Sequence, residues 1–264
     1  MDLVLVARSL FRSLSCLFLA KALFLFSGCS DERLLPPPVS LHNRQTMPTP
    51  NDVIAAVQSA DQAKLAQLLA ENPALASARD TTGVSAIMHA IYRHSQEGLQ
   101  ALLATHPELD IFEAASVGDT ARLSVLLATN PDLVNSFSAD GFTALHFAAF
   151  FTQEAAARML IERGANVSAV AKNPTQVMPL HSAASSRDLA VARMLLEHGA
   201  PPNAKQQQGW TPLHACAQNG DKAIAELLLK HGVDPRIPND NGVTPEQLAR
   251  EKGFNDVAAI LAAA

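Results

Sequence analysis

Aromatic side chains make up only 5% of this 264-residue chain, and cysteine is rarer still, with three residues. Neither sign of charge dominates. Each shortage excludes a class of protein. A sheet sandwich needs β-branched and aromatic residues in its strands, whereas here alanine and leucine supply most of the apolar mass, which suits short helices packed closely. Cys16 and Cys29 both lie near the N-terminus, so the rest of the chain holds only Cys216 and has no disulfide framework. The net charge of −5 arises from 20 Lys and Arg scattered among 25 Asp and Glu. A nucleic-acid binder gathers its basic residues on one face, and no such clustering is present. A phosphate-binding glycine loop, a His-Glu-x-x-His and a Cys-x-x-Cys are also missing. Nothing in the sequence implies a cofactor or a metal.

Residues 1–46 form a segment apart from the rest, and two readings of it stand. In one, an apolar secretory signal ends at Phe26-Ser27-Gly28-Cys29. That resembles a bacterial lipoprotein site, with Cys29 lipidated and the protein tethered on the periplasmic side of a membrane as a regulator of a partner enzyme. Lys21 counts against this reading, because it splits the apolar stretch into pieces shorter than the ~7–15 residues of a signal core. In the other, translation starts at Met47, whose Met-Pro-Thr-Pro-Asn-Asp leads directly into the first helix. The protein is then cytoplasmic. The second reading is slightly favoured, and under it there is no membrane partner. Both leave residues 47–264 as the folded domain.

The strongest feature is a repeat. Thr143-Ala144-Leu145-His146, Met178-Pro179-Leu180-His181, Thr211-Pro212-Leu213-His214 and Thr244-Pro245-Glu246-Gln247 have their fourth residues 35, 33 and 33 positions apart. A second marker keeps the same rhythm: Arg163-Gly164-Ala165, His198-Gly199-Ala200 and His231-Gly232-Val233. Fixed periods of this length signal stacked supersecondary units. These residues resemble the ankyrin-repeat family, and residues 208–240 match its repeat along their whole length. The resemblance implies an all-α solenoid of helix–turn–helix units with short β-hairpin fingers. It further implies a protein-binding scaffold without catalysis, read as a monomer.

Upstream the phase continues more faintly. Ala114-Ala115 aligns with Ala148-Ala149 and puts Phe112 in the position of His146, while Met88 and Ile54 occupy it further back. The interval from Met88 to Phe112 is only 24 residues, so the second unit is expected to lack its hairpin. About seven units result, starting near 50, 81, 108, 140, 175, 208 and 241. Local chemistry agrees. Threonine at the N-cap is expected to accept from a helix amide, proline follows at the first helical position, and Gly164, Gly199 and Gly232 end the second helices in the left-handed conformation.

Chemical readings of single residues are weak. His146, His181 and His214 stand one repeat apart, at helix-packing distances of ~8–10 Å, too far for one metal with ligands at ~2 Å; the turn of the repeat accounts for them. Cys216 follows His214 by two positions, which do not face each other on a helix, and it fills a small-residue core slot. His198 and His231 precede capping glycines, where a cation suits the helix dipole. Asn166-Val167-Ser168 matches a glycosylation acceptor by pattern alone.

Surface positions remain. In the family, partners dock on the fingertips and on the exposed end of the first helix. Carried over position by position, those slots hold Tyr92, Phe150 and Phe151 on the helices, and Phe142 and Trp210 in the fingers, with Asp140 beside Phe142. Exposed aromatics are favoured interface anchors, so these six residues are the candidate partner site. The finger at 171–177 is two residues longer than its neighbours, either a tolerated insertion or a distinctive contact.

Overall fold

Within residues 47–264, which the computed structural model describes, every regular element is helical. Cys29 and the lipoprotein reading lie outside the described residues. Fourteen α-helices follow one another: α1 (Pro50–Ser59), α2 (Gln62–Glu71), α3 (Ala86–Tyr92), α4 (Gln96–Leu103), α5 (Ile111–Val117), α6 (Thr120–Thr129), α7 (Ala144–Phe150), α8 (Glu154–Glu162), α9 (Pro179–Ser186), α10 (Leu189–Glu197), α11 (Pro212–Asn219), α12 (Lys222–Lys230), α13 (Pro245–Glu251) and α14 (Asn255–Ala263). Each odd-numbered helix packs on the even-numbered helix after it and on the odd-numbered helices before and after it. The even-numbered helices stack in the same way, with one weak point between α4 and α6. The result is a two-layered stack in which each pair touches only its neighbours, so stability is a sum of neighbour interfaces.

One short turn builds every pair. The residue after or near the end of the odd-numbered helix adopts positive φ, at Ala60, His94, Gly118, Thr152, Arg187, Gly220 and Gly253. The next residue then donates its N–H back to a carbonyl in the helix, as Ser95 does to Ala90 at 2.9 Å and Asp221 does to Cys216 at 2.9 Å. Where that residue is aspartate, it also caps the helix that follows. The Asp61, Asp119, Asp188 and Asp221 carboxylates accept from the amides of Lys64, Arg122, Val191 and Ile224 at 2.9–3.1 Å. Alanines at 148, 149, 183, 184, 215 and 217 are buried, which lets the odd-numbered helices approach closely. Leu160, Leu195, Leu213 and Leu228 are fully buried between the layers.

The fingers differ from the expected hairpins. No strand occurs among the described residues, only an isolated antiparallel bridge between Arg79 and Ser85. Each finger is a tight loop closed by a backbone bond from Asp80 to Val84, Ser138 to Phe142, Ala171 to Val177, Gln206 to Trp210 or Asn239 to Val243, all 2.8–3.0 Å, with a second turn bond inside it, as from Gly83 to Asp80 and from Gly141 to Ser138 at 3.0 Å. Outside the closing pair only the first finger adds a rung, Ala86 N–H to Ala78 O at 2.8 Å; in the others the chain enters a helix at once. The loops bond to each other instead. Lys172 N–H donates to Gly141 O, Gln207 N–H to Thr175 O and Asp240 N–H to Gln208 O, at 2.8–2.9 Å. The long finger takes part fully in this chain, and its Asn173 side chain donates to Asp140 O at 2.8 Å.

Between α4 and α5 there is no finger: residues 104–110 run directly from one helix to the next. The loop at 80–84 therefore faces the loop at 138–142 with nothing between, and no backbone hydrogen bond joins the two. Their tips close on each other, so that a Cβ on Gly83 would lie 3.3 Å from that of Ala139.

Candidate functional site

The histidines of the repeat hold the array together. Nδ1 of His146, His181 and His214 accepts from the backbone N–H of Thr143, Met178 and Thr211 at 3.1–3.2 Å. A nitrogen that accepts carries no proton, so Nε2 bears it and donates to the next finger, at Val177 O, Ala204 O and Val243 O, 3.0–3.1 Å away. Both ring nitrogens are engaged and none is free to bind a metal. Burial, the largest influence, pushes His146 and His181 down to about 4 and lowers His214 as well. The threonine hydroxyls at 143 and 211 turn to the imidazole, 2.8 Å from Nδ1, instead of capping the helix as the sequence suggests. Ser85 and Thr244, whose helices carry no histidine at that slot, do cap.

In α5 the slot is filled differently from the expected Phe112. The helix is capped by Asp110, and Glu113, three residues on, accepts the Asp110 N–H at 2.7 Å. Phe112 is one position away. The misplacement arises because α5 is one residue shorter between its cap and Gly118 than α11 is between Thr211 and Gly220. Glu113 is buried, and burial together with the Asp110 charge raises its carboxyl, opposed by the Ser85 hydroxyl and Arg79. Arg79 reaches over from the preceding loop to Asp110 at 2.8 Å and Glu113 at 3.5 Å. Met88 occupies the histidine slot of α3, where no following finger exists to accept a hydrogen bond.

The six candidate partner residues fall into two places. Tyr92 at the end of α3 donates its hydroxyl to Asp140 Oδ2, and Ser138 donates to Asp140 Oδ1. Burial and the Asp140 charge push the Tyr92 phenol well above its ordinary value. Next to Asp140, Phe142 meets Phe147 edge-on at 5.6 Å, Phe147 stacks on Phe151 at 6.4 Å, and Phe151 meets Phe150 edge-on at 5.1 Å. Phe112 joins from α5, 6.1 Å from Phe147. Five of the six residues are thus neighbours. Trp210 lies apart, two fingers further on, over the His214 ring at 5.7 Å.

None of the five aromatics stands free in solvent, contrary to the expectation that their slots need no burial. Tyr92, Phe142, Phe151 and Trp210 are half-buried and pack against the core. The reason is local contact: Phe142 and Trp210 rest on the His146 and His214 rings at 5.8 and 5.7 Å, and Phe151 on Phe147 at 6.4 Å. Phe150 is half-buried and rests edge-on against Phe151. Phe112, Phe137 and Phe147 belong to the same neighbourhood and were not singled out from sequence. Their apolar character alone reads as core, which is right for the buried Phe147, while Phe112 and Phe137 are half-open beside the missing finger.

Cys216 is completely buried, and burial pushes its thiol well up, so it is packed as a small apolar side chain. Asn166 is exposed, and its side chain accepts from the Ser168 N–H at 2.9 Å.

The comparisons agree with this architecture. The family model for ankyrin repeats (3 copies) matches residues 111–206 and 180–264. A search of curated proteins finds no match. The matched residues span more than half of the chain and coincide with the helix pairs, the imidazole-to-finger bonds and the bonded finger loops described above, so the chain belongs to the ankyrin-repeat family.

Proposed function

We propose that the chain is a non-enzymatic scaffold that binds a partner protein through its fingers and odd-numbered helices. Ankyrin repeats are generally modules of protein–protein interaction, which supports the coarse reading. The finer one is that seven units, including the two upstream of the family match, form one array acting as a monomer, and that Tyr92, Asp140, Phe142, Phe150 and Phe151 form the centre of the partner face, with Trp210 contributing from further along. The supporting observation is that Phe142, Phe150 and Phe151, each half-open to water, are joined through the buried Phe147 into one row in a chain with few aromatics. Rings presented on rigid helices are good anchors, because little side-chain freedom is lost on binding.

Phe150 is the first probe, because it ends the aromatic row and is half-open to water. A partner captured on the full chain and identified by mass spectrometry should lose at least ~2 kcal/mol of affinity to Phe150→Glu, the size of an interface hot spot. The melting temperature should change little. Unchanged affinity would remove Phe150 from the face. Trp210→Glu is a poorer test, since removing the ring uncovers His214 and costs stability as well.

A further inference from the structure

The absent finger leaves a notch. Arg79, Gly83, Val84 and Met88 line it on one side, Asp110 and Phe112 line its floor, and Phe137, Ser138, Ala139, Asp140 and Phe147 the other side. Its volume is about 100 Å³, room for one side chain and not for a loop of backbone. The fingertips meet at Gly83 and Ala139, which further excludes another loop from this place.

The charges around the notch are unbalanced. Arg79 is neutralised by Asp110 and Glu113, and its other nitrogen donates to Gly83 O at 3.1 Å. Asp140 accepts only from neutral groups, the Tyr92 and Ser138 hydroxyls, and no cation pairs with it among the described residues. Two hydroxyls orient a carboxylate without cancelling its charge. The neighbouring rings are suited to a cation, as Phe137 shows: the Lys172 ammonium sits 4.1 Å from its centroid. An apolar wall of three rings and a methionine, with an uncompensated carboxylate at its edge, matches a long aliphatic stem that ends in positive charge.

We propose that this notch receives one basic side chain, lysine or arginine, of the partner protein, its stem on Phe112, Phe137 and Phe147 and its charged head on Asp140. The inference rests on the interaction function proposed above and names the chemistry of what that face reads.

The test uses the full chain and three capped pentapeptides: acetyl-Gly-Leu-Arg-Leu-Gly-amide and its versions with glutamine or glutamate in place of arginine. Binding is followed by calorimetry and by amide chemical shifts. The arginine peptide should bind about ten-fold tighter than the glutamine peptide, the glutamate peptide weakest of all. Shifts should centre on residues 110–113 and 137–141. In Asp140→Asn the preference for arginine should fall to within about two-fold. If Asp140→Asn fails to fold, the comparison of peptides on the unaltered chain still decides. Equal binding of the arginine and glutamine peptides, shifts centred elsewhere, or no saturation by the arginine peptide up to millimolar concentration would overturn the proposal. A partner lost on Phe150→Glu, alongside peptides that are not discriminated, would remove the notch and leave the interaction function standing.

Discussion

An imidazole that accepts from its own helix cap and donates to the next finger keeps both bonds only while it is neutral. Protonation puts a hydrogen on Nδ1, where the Thr143, Met178 and Thr211 amides already point theirs. The folded forms of His146 and His181 resist protonation down to about 4, against 6.5 for the free side chain. A histidine depressed on folding contributes stability that is fully present above its unfolded value and is lost as pH falls toward its folded one. Stability measured by urea titration should therefore be level above pH 7 and fall between pH 6.5 and about 4, by up to roughly 3 kcal/mol per imidazole. A flat profile across that window would mean the three rings do not act as described. The hydroxyl partners are worth less: Thr211→Val keeps the shape and deletes one bond to His214 Nδ1, for an expected cost of about 1 kcal/mol. Met178, which has no hydroxyl, shows that the amide alone can hold the ring. From sequence, the structural role of these histidines was legible, because the spacing ruled out a shared metal. The tautomer was not, nor the exchange of Phe112 for Glu113, since both depend on where a cap falls within one residue.

At the scale of the finger, a loop with only its own turn bonds owes its position to the loops beside it. Gly141 illustrates the constraint: its φ is +86°, and a Cβ there would lie 2.7 Å from Lys172 O. Gly164 has a similar φ of +89° with nothing within 4 Å. Gly164→Ala should cost about 1 kcal/mol, the price of left-handed backbone alone. Gly141→Ala should cost an additional ~1–3 kcal/mol, because backbone must shift, and it should weaken protection of the Lys172 amide in hydrogen exchange. Equal losses in the two variants would show that the fingers are not in tight register. The helices and their order could be read from the period. The hairpins could not, because strand pairing depends on the distance between chains, and the repeat specifies only which residues turn. The half-open rings at 112 and 137 escaped notice as part of this site for a related reason: a missing element has no residues to read.

Residues 48–264 form a stack stabilised by contacts between neighbours, so one poor contact matters. Such a contact exists. Consecutive odd-numbered helices pack extensively everywhere except α3 on α5, and α4 hardly meets α6. At that same level the chain of finger bonds begins only with Lys172 on Gly141. Across the gap, Tyr92 to Asp140 and Arg79 to Asp110 and Glu113 do the work of a finger. Tyr92→Phe removes the first of these ties. Hydrogen exchange should then quicken in residues 50–104 by more than ten-fold, equivalent to about 1.4 kcal/mol, with residues 144–261 unaffected. Uniform acceleration along the chain would show that the stack unfolds as one.

The α4–α5 junction divides the described residues into two blocks, a short one over 48–103 and a long one over 111–264, with sparse helix packing between them. Information about binding travels poorly across such a boundary: a ligand on the downstream fingers stiffens only its own side. A ligand lodged in the boundary touches both. It would act as a splice, and its presence would be reported as the merging of two unfolding transitions into one.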